Sequence, residues 1–249
     1  MKDKTFIINK FKAIKKLRYV KSHRKSNTGI GKTFEDYIGV DENNVNKPDI
    51  AGFEIKTHRE DTQSYITLFT KCPSFPKGAN IYLKDKFGSP YPENHCLKRL
   101  HTSMFANKLN TYEKKYKFRL LNDKKNKCIY IGVYSLKTEK LLDSSCGYYY
   151  KDLEKALKKK LKNLFYVSAK RKSDAKGVEY FYYDKADVYA KPSFAKFLTL
   201  IDKGMIMYDI RIGSYKSGIN YGKAHDHGSA FRILEKDLKK LYSEHERIK

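Results

Sequence analysis

A proline-aspartate pair followed by Glu-x-Lys constrains this chain more than any other stretch: Pro48-Asp49-Ile50-Ala51-Gly52-Phe53-Glu54-Ile55-Lys56. Side chains two apart on a β-strand share a face, so Glu54 and Lys56 point one way while Phe53, Ile55 and Thr57 turn to an apolar side. The segment predicts a strand with one face in a core and the other carrying an acid and a base. Gly52 permits a bend that brings Asp49 alongside them. Two carboxylates can hold a hard cation through oxygen, the Ile55 carbonyl can add a ligand, and a lysine beside them can orient a water molecule. That set suits magnesium-dependent phosphodiester hydrolysis. The same spacing also arises by chance in lysine-rich chains, where it is an amphipathic strand with a solvated salt bridge.

Charge points to a polyanionic partner. Lys and Arg number 53 against 28 Asp and Glu, a formal net charge of +25, which puts nucleic acid ahead of a membrane surface. Only nine of the bases are Arg, and a surplus of Lys, Asn, Ile and Tyr is also what an AT-rich genome yields, so the charge carries limited weight. No apolar run is long enough to span a bilayer and the N-terminus lacks the apolar core of a signal peptide, so a soluble, intracellular protein is expected. Cys72, Cys96, Cys128 and Cys146 form no Cys-x-x-Cys pair, which argues against a zinc knuckle and a disulfide framework. With 249 residues the chain can form one large domain or two lobes.

Periodicity predicts mixed elements. Ile7, Phe11, Ile14 and Leu17 fall at helical spacing, and Thr33 to Ile38 reads as a short helix with Thr33 as N-cap. Strands are expected over residues 50 to 70, with the second at Tyr65 to Thr70, then at Cys128 to Tyr134, Tyr148 to Tyr150, Leu164 to Ala169, Tyr180 to Tyr183, Met205 to Ile212 and Ser229 to Ile233. Helices are expected at Asp152 to Asn163 and Ser193 to Asp202, and a charged helix at the C-terminus. Asn80 to Asn110 reads as irregular, broken by Gly88, Pro90 and Pro92. Strands and helices in this order, without internal repeats, give an α/β or α+β fold.

Three further motifs have competing readings. Gly29-Ile30-Gly31-Lys32-Thr33 looks like the end of a P-loop, but Ser26 stands where that motif needs glycine, and a glycine turn feeding a helix fits better. Such a turn can receive a DNA phosphate on its N–H groups. His225-Asp226-His227 invites a metal reading but has no third ligand at recognisable spacing; these histidines could equally donate to phosphates or bases, or be structural. Asp209 and Arg211 share a strand face, with Arg232 shortly after the histidines. The arginines suit guanine O6 and N7 and the aspartate suits cytosine N4, while the alternative is a plain ion pair.

Four blocks, Asn27 to Ile38, Pro48 to Arg59, Thr67 to Asn80 and Asp209 to Ile233, together resemble the MvaI/BcnI group of type II restriction endonucleases, relatives of the MutH repair nickase. The resemblance implies a PD-(D/E)xK restriction-endonuclease-like fold, a mixed central sheet flanked by helices, with catalytic and recognition lobes gripping double-stranded DNA. The catalytic lobe is expected mainly in residues 1–140 and the recognition lobe mainly in 141–249, with interleaving allowed. It implies catalytic roles for Asp49, Glu54 and Lys56, an accessory acid at Glu35, and a metal held by Asp49, Glu54 and the Ile55 carbonyl. DNA contacts are implied for Asp209, Arg211, Tyr215, Lys223, His225, His227 and Arg232, and for Lys32 and Lys71. The expected enzyme is a monomer in the cytoplasm of a prokaryotic cell, with no membrane association. It would use Mg2+, with Mn2+ able to substitute, to make double-strand cuts at a short G·C-rich, CC-N-GG-like site, and a DNA methyltransferase would be its genetic partner. The rivals are a MutH-like strand nickase and a non-catalytic DNA-binding module.

Overall fold

The computed structural model describes residues 2–39, 52–61 and 65–248. They form two compact units, each assembled from separated stretches of chain: Met1–Ser64, Lys158–Ser193 and Tyr242–Lys249 in the first, Tyr65–Leu157 and Phe194–Leu241 in the second. No helix among the described residues is long and apolar enough to cross a membrane.

In the first unit, α1 (Lys2–Lys16) and α2 (Gly29–Ile38) accompany β1 (Val20–Lys21), β2 (Glu54–Arg59), β10 (Asn163–Ser173), β11 (Glu179–Pro192) and β15 (Tyr242–Ile248). The sheet runs β1-β11-β10-β2, with β15 also on β11. Only β10 and β2 pair in parallel, so this is the expected mixed sheet with helices against it. Ile7, Phe11 and Ile14 of α1, with Ile30, Phe34 and Ile38 of α2, join Phe53, Ile55, Phe165 and Val167 in one core. Phe11 meets the Phe165 ring edge-on at 6.0 Å. Phe34 packs on Tyr183 at 5.0 Å, and the buried Tyr183 hydroxyl donates to the Ile30 carbonyl at 2.7 Å.

The second unit holds β3 (Tyr65–Thr70), α3 (Ala79–Phe87), β4 (Ser89–Tyr91), β5 (Asn94–Met104), β6 (Asn110–Tyr112), β7 (Tyr116–Asp123), β8 (Cys128–Ser135) and β9 (Leu141–Tyr149). It continues with α4 (Tyr150–Leu161), whose last turn belongs to the first unit, and then α5 (Phe194–Asp202), β12 (Ile206–Ser214), β13 (Ala224–Asp226), β14 (Ala230–Leu234) and α6 (Glu235–Leu238). One sheet runs β3-β14-β12-β5-β4 with β13 on β12, and a second is the meander β6-β7-β8-β9. Phe69, Phe197 and Phe231 pack with Tyr148 and Tyr208 at ring separations of 5.1 to 5.8 Å.

Three elements differ from the sequence expectation. Helix α2 begins at Gly29, so Thr33 is a buried helix residue and not its cap; its hydroxyl instead accepts from the His23 N–H at 2.9 Å. The stretch read as irregular is α3, β4 and the 11-residue β5. Its apparent breakers sit at joints: Gly88 ends α3, Pro92 lies between β4 and β5, and Pro90 is in β4 at the sheet edge, where a missing N–H is tolerated. The charged C-terminal helix is only the short α6, and the segment beyond it is a strand, β15, because the edge of β11 offers it a ladder from Ala186 to Pro192, with Tyr242 and Ile248 buried at its ends. Phe11 is fully buried at the centre of the first core. Phe11→Ala is expected to lower the stability of the first unit by about 3–5 kcal/mol in urea unfolding; a loss below 1 kcal/mol would contradict this packing.

Candidate functional site

As far as Lys56 strand β2 alternates as its sequence dictates; beyond it His58, on the face of Glu54 and Lys56, is buried. Phe53 and Ile55 enter the core with α1 and α2, and Glu54 and Lys56 turn to the other face. Lys56 Nζ donates to Glu54 Oε1 at 3.3 Å, and Lys160 Nζ, on the last turn of α4, lies 3.9 Å from Glu54 Oε2. Lys160 was not legible as a site residue, because nothing in the run Lys158-Lys159-Lys160 distinguishes one lysine from another. In the parallel ladder Lys56 is opposite Tyr166. Asp49 falls outside the described residues. Among the described residues no three His, Cys, Asp or Glu side chains are gathered closely enough to hold a metal ion.

Glu35 lies on α2 one turn after Gly31. A Cβ on Gly31 would stand 3.4 Å from Thr57 Oγ1 and 3.8 Å from Glu35 Oε1, so this part of α2 packs on the Thr57 side of β2. Alternation puts that side opposite Glu54 and Lys56. Lys32 pairs with Asp36 at 2.6 Å, and Asp36 also takes His23 Nδ1 at 2.8 Å. Hydrogen bonds from Lys32 and then His23 hold the Asp36 carboxyl below its ordinary pKa.

In the second unit one sheet face gathers the polar residues. Asp209 and Arg211 on β12 are opposite Ser103 and His101 on β5, and Arg232 on β14 is opposite Met207 and Thr67. Asp209 is buried and accepts from Arg211 Nε at 2.6 Å and Ser103 Oγ at 3.2 Å. Arg232 Nε lies 3.0 Å from the same Asp209 oxygen as Arg211, without hydrogen-bond alignment. Thus the ion-pair reading of Asp209 is the arrangement present. Holding Arg211 by Nε leaves its two terminal nitrogens on a side chain that is 52% exposed. Arg232 is more enclosed and donates to Thr67 Oγ1 and to the Gly228 carbonyl.

The histidine loop is built around Asp226. Its Oδ1 accepts from the Gly228 and Ser229 N–H groups, and its Oδ2 takes Asn80 Nδ2 at 3.2 Å. His227 N–H donates to the Arg211 carbonyl at 2.8 Å. His225 stacks on Tyr215 with centroids 4.5 Å apart and planes 7° apart, His227 lies 4.3 Å from His225, and His101 meets His227 edge-on at 5.8 Å. Gly213 has no side chain because a Cβ there would come within 2.5 Å of Tyr91 Oη and 2.8 Å of His227 Nε2. Lys223 bonds Asn220 Oδ1 at 3.2 Å, and the Lys71 carbonyl accepts from both the Tyr148 and Tyr208 hydroxyls. His101, Ser103 and Thr67 were missed in the sequence, the first two because β5 was read as irregular. A cleft of about 420 Å³ opens beside Arg211, lined also by His101, Ser103, Asn110 and Asp209.

Burial, then the neighbouring His225, lowers the His227 pKa from 6.5. Burial, then His227, Arg99 and Arg211, lowers that of His101, with Asp209 opposing. At neutral pH these rings are neutral and able both to donate and to accept hydrogen bonds.

A Glu-x-Lys strand in one unit and a buttressed Arg-His face in the other suit a nuclease, and the known proteins the chain matches place it among site-specific type II restriction endonucleases. The family model described as "MvaI/BcnI restriction endonuclease family" matches residues 8–242. The solved structure "Restriction endonuclease MvaI-cognate DNA substrate complex" is 32% identical over 98% of both chains, with a TM-score of 0.88. "Restriction endonuclease MvaI in the absence of DNA" is also 32% identical, covering 100% of this chain and 98% of that one, with a TM-score of 0.68. No curated protein sequence matches. The chain belongs to the MvaI/BcnI restriction endonuclease family.

Removing Asp209 leaves Arg232 without its carboxylate in an enclosed place, while the half-exposed Arg211 can relax into water. Asp209→Ala is therefore expected to cost about 3 kcal/mol in urea unfolding, and a neutral result would mean that the arginines do not depend on it. The unfolded chain takes up protons at His101 and His227 more readily than the folded one. Stability is therefore unaffected by these groups above pH 6.5 and falls as pH drops through that value towards the lowered folded pKa values. The melting temperature should fall less between pH 7.5 and 5.5 in a His101→Gln/His227→Gln variant than in the wild type; parallel curves would assign the acid sensitivity elsewhere.

Proposed function

We propose that this protein makes Mg2+-dependent double-strand cuts in DNA at a short G·C-rich site of CC-N-GG form, acting as a monomer in the cytoplasm of a prokaryotic cell. Its genetic partner would be a methyltransferase that protects the same site. The carrying observation is the partly buried Glu54-Lys56 pair, on one face of a strand whose other face is locked into a core. The catalytic lobe in this reading is the unit containing β2, and the recognition lobe is the unit containing Arg211 and the histidines. Support for a DNA substrate comes from the similar structure of MvaI in complex with its cognate DNA substrate.

The residues fit a hard cation. Glu54 is an oxygen donor that already draws two ammonium groups to within 4 Å, so positive charge is favoured at its carboxylate. Asp49, Glu54 and the Ile55 carbonyl would hold Mg2+, with Mn2+ able to substitute. Mg2+ supplies a lowered pKa for water and neutralisation of phosphate charge. Lys56 would orient the attacking water in line with the leaving 3′ oxygen and stabilise charge on the pentacovalent transition state. The products would be 5′-phosphate and 3′-hydroxyl ends. Glu35, on the Thr57 side of β2, would act as an accessory group and not as a first ligand. Lys32 and Lys71 would meet phosphates.

In recognition, Asp209 would hold Arg211 so that its terminal nitrogens reach guanine O6 and N7. Arg232, engaged by Thr67 and Gly228, would keep the same carboxylate and the loop in place. His225, His227, Tyr215 and Lys223 would make the neighbouring base and backbone contacts.

Digestion of unmethylated phage DNA should give discrete fragments with a common end sequence. Glu54→Ala and Lys56→Ala should each slow cleavage by at least about 100-fold while retaining most DNA affinity. Binding should also weaken steeply with salt. Intact DNA with the wild type would favour a non-catalytic binder, and nicks alone would favour a strand nickase.

A further inference from the structure

Ile219 is 96% exposed, at the tip of the hairpin that joins β12 to β13. Its isolation is not the result of a loose loop. Beyond the ladder that pairs Gly213 with His225 and Ser214 with Ala224, the hairpin is closed by Tyr215 N–H to the Lys223 carbonyl at 3.0 Å and Gly222 N–H to the Tyr215 carbonyl at 2.9 Å. Two tight turns shape the tip, Tyr221 N–H to Gly218 carbonyl and Lys223 N–H to Asn220 carbonyl, with Gly218 at φ +74°. Side chains anchor its flank: Lys216 pairs with Glu93 at 2.5 Å and lies 4.5 Å from the centre of the Tyr91 ring, and Asn94 Nδ2 donates to Tyr221 Oη at 2.9 Å. The fold thus holds a large aliphatic side chain away from every apolar surface of its own unit.

The same hairpin carries the Tyr215-His225 stack, and its strand β12 carries Arg211. Lys216 and Lys223 stand on either side of the tip in sequence, giving an apolar point with basic flanks. Nucleic-acid grooves offer two apolar targets for such a point: the thymine methyl group and the face of a base exposed at an opened step. We propose that, when the enzyme binds its DNA, the hairpin tip enters a groove of the duplex and sets the Ile219 side chain against the apolar surface of bases next to those contacted from the sheet face. This rests on the reading of the protein as a duplex-DNA endonuclease. Ile219 then adds affinity and site discrimination without a charge or a hydrogen bond.

The test measures binding of a duplex carrying the site mapped by cleavage, in a Glu54→Ala background so that the DNA stays whole. Ile219→Ser should weaken binding about tenfold. The dependence of binding on salt should keep its slope, because no phosphate contact is lost. The melting temperature of the free protein should not change, and Ile219→Leu should restore most of the affinity. Two arms separate the targets. Uracil in place of thymine, imitating the Ile219→Ser loss, indicates the methyl group. A 2-aminopurine probe that brightens with the wild-type tip but not with Ile219→Ser indicates an opened step. If Ile219→Ser binds as tightly as the wild-type tip, Ile219 stays in solvent and the proposal is overturned, while the endonuclease reading stands on its own cleavage result. If the protein with an intact tip neither binds nor cuts the duplex, the underlying reading fails and the proposal goes with it.

Discussion

The parallel pairing of β2 with β10 is the constraint on which the first unit depends. It runs from Glu54 opposite Leu164 to Arg59 opposite Ala169, and it fixes the register of a six-residue strand whose alternate positions have opposite needs. A slip by one residue would turn Ile55 to the polar face of Glu54 and send Lys56 into the core with α1 and α2. Packing of Phe53 and Ile55 against Phe165 and Val167 therefore does more than stabilise the unit. It sets the direction in which Glu54 and Lys56 leave the sheet.

A comparable economy governs the second unit, where one buried carboxylate organises a polar face. Asp209 is nearly inaccessible, yet its partners include two guanidinium groups with different surroundings. Arg232 is tied to the interior by Thr67 and Gly228, and Arg211 is fastened at one nitrogen and otherwise open. Charge that would be costly to bury alone is balanced within the sheet. What remains outside is an arginine of restricted orientation beside a cluster of histidine rings. Asp226 performs the corresponding task for the loop by accepting from two backbone N–H groups, which keeps His225 and His227 next to each other.

Legibility in the sequence followed the length scale of the interactions. The helix at Ile7, Phe11 and Ile14 and the alternation through Glu54 and Lys56 depend on spacing within a few residues, and both appear, although Leu17, expected on the same helix face, lies past the helix end and is exposed. Asn80 to Asn110 has the look of an irregular stretch because its glycine and prolines, which mark joints between short elements and an edge strand, are also the residues that break elements. The C-terminal segment is too charged to announce a strand, and it is one because β11 leaves an edge for it. Lys160 and His101 could not be singled out. One is brought to Glu54 from more than a hundred residues away, and the other faces Arg211 only through the pairing of β5 with β12.

By itself, then, the sequence determined the acid-lysine strand, the amphipathic first helix, the basic character of the chain and the order of motif blocks that ties it to its family. These follow from local periodicity and residue chemistry, which survive without knowledge of the fold. Tertiary structure alone decided which lysine approaches Glu54, that Asp209 is a buttress for two arginines, that three histidines form one cluster, and that Ile219 is left in the open. Each of those facts depends on strand register and on the meeting of segments distant in the chain. A one-dimensional pattern carries no record of such meetings, because the energies that select them come from burial and pairing across the whole unit.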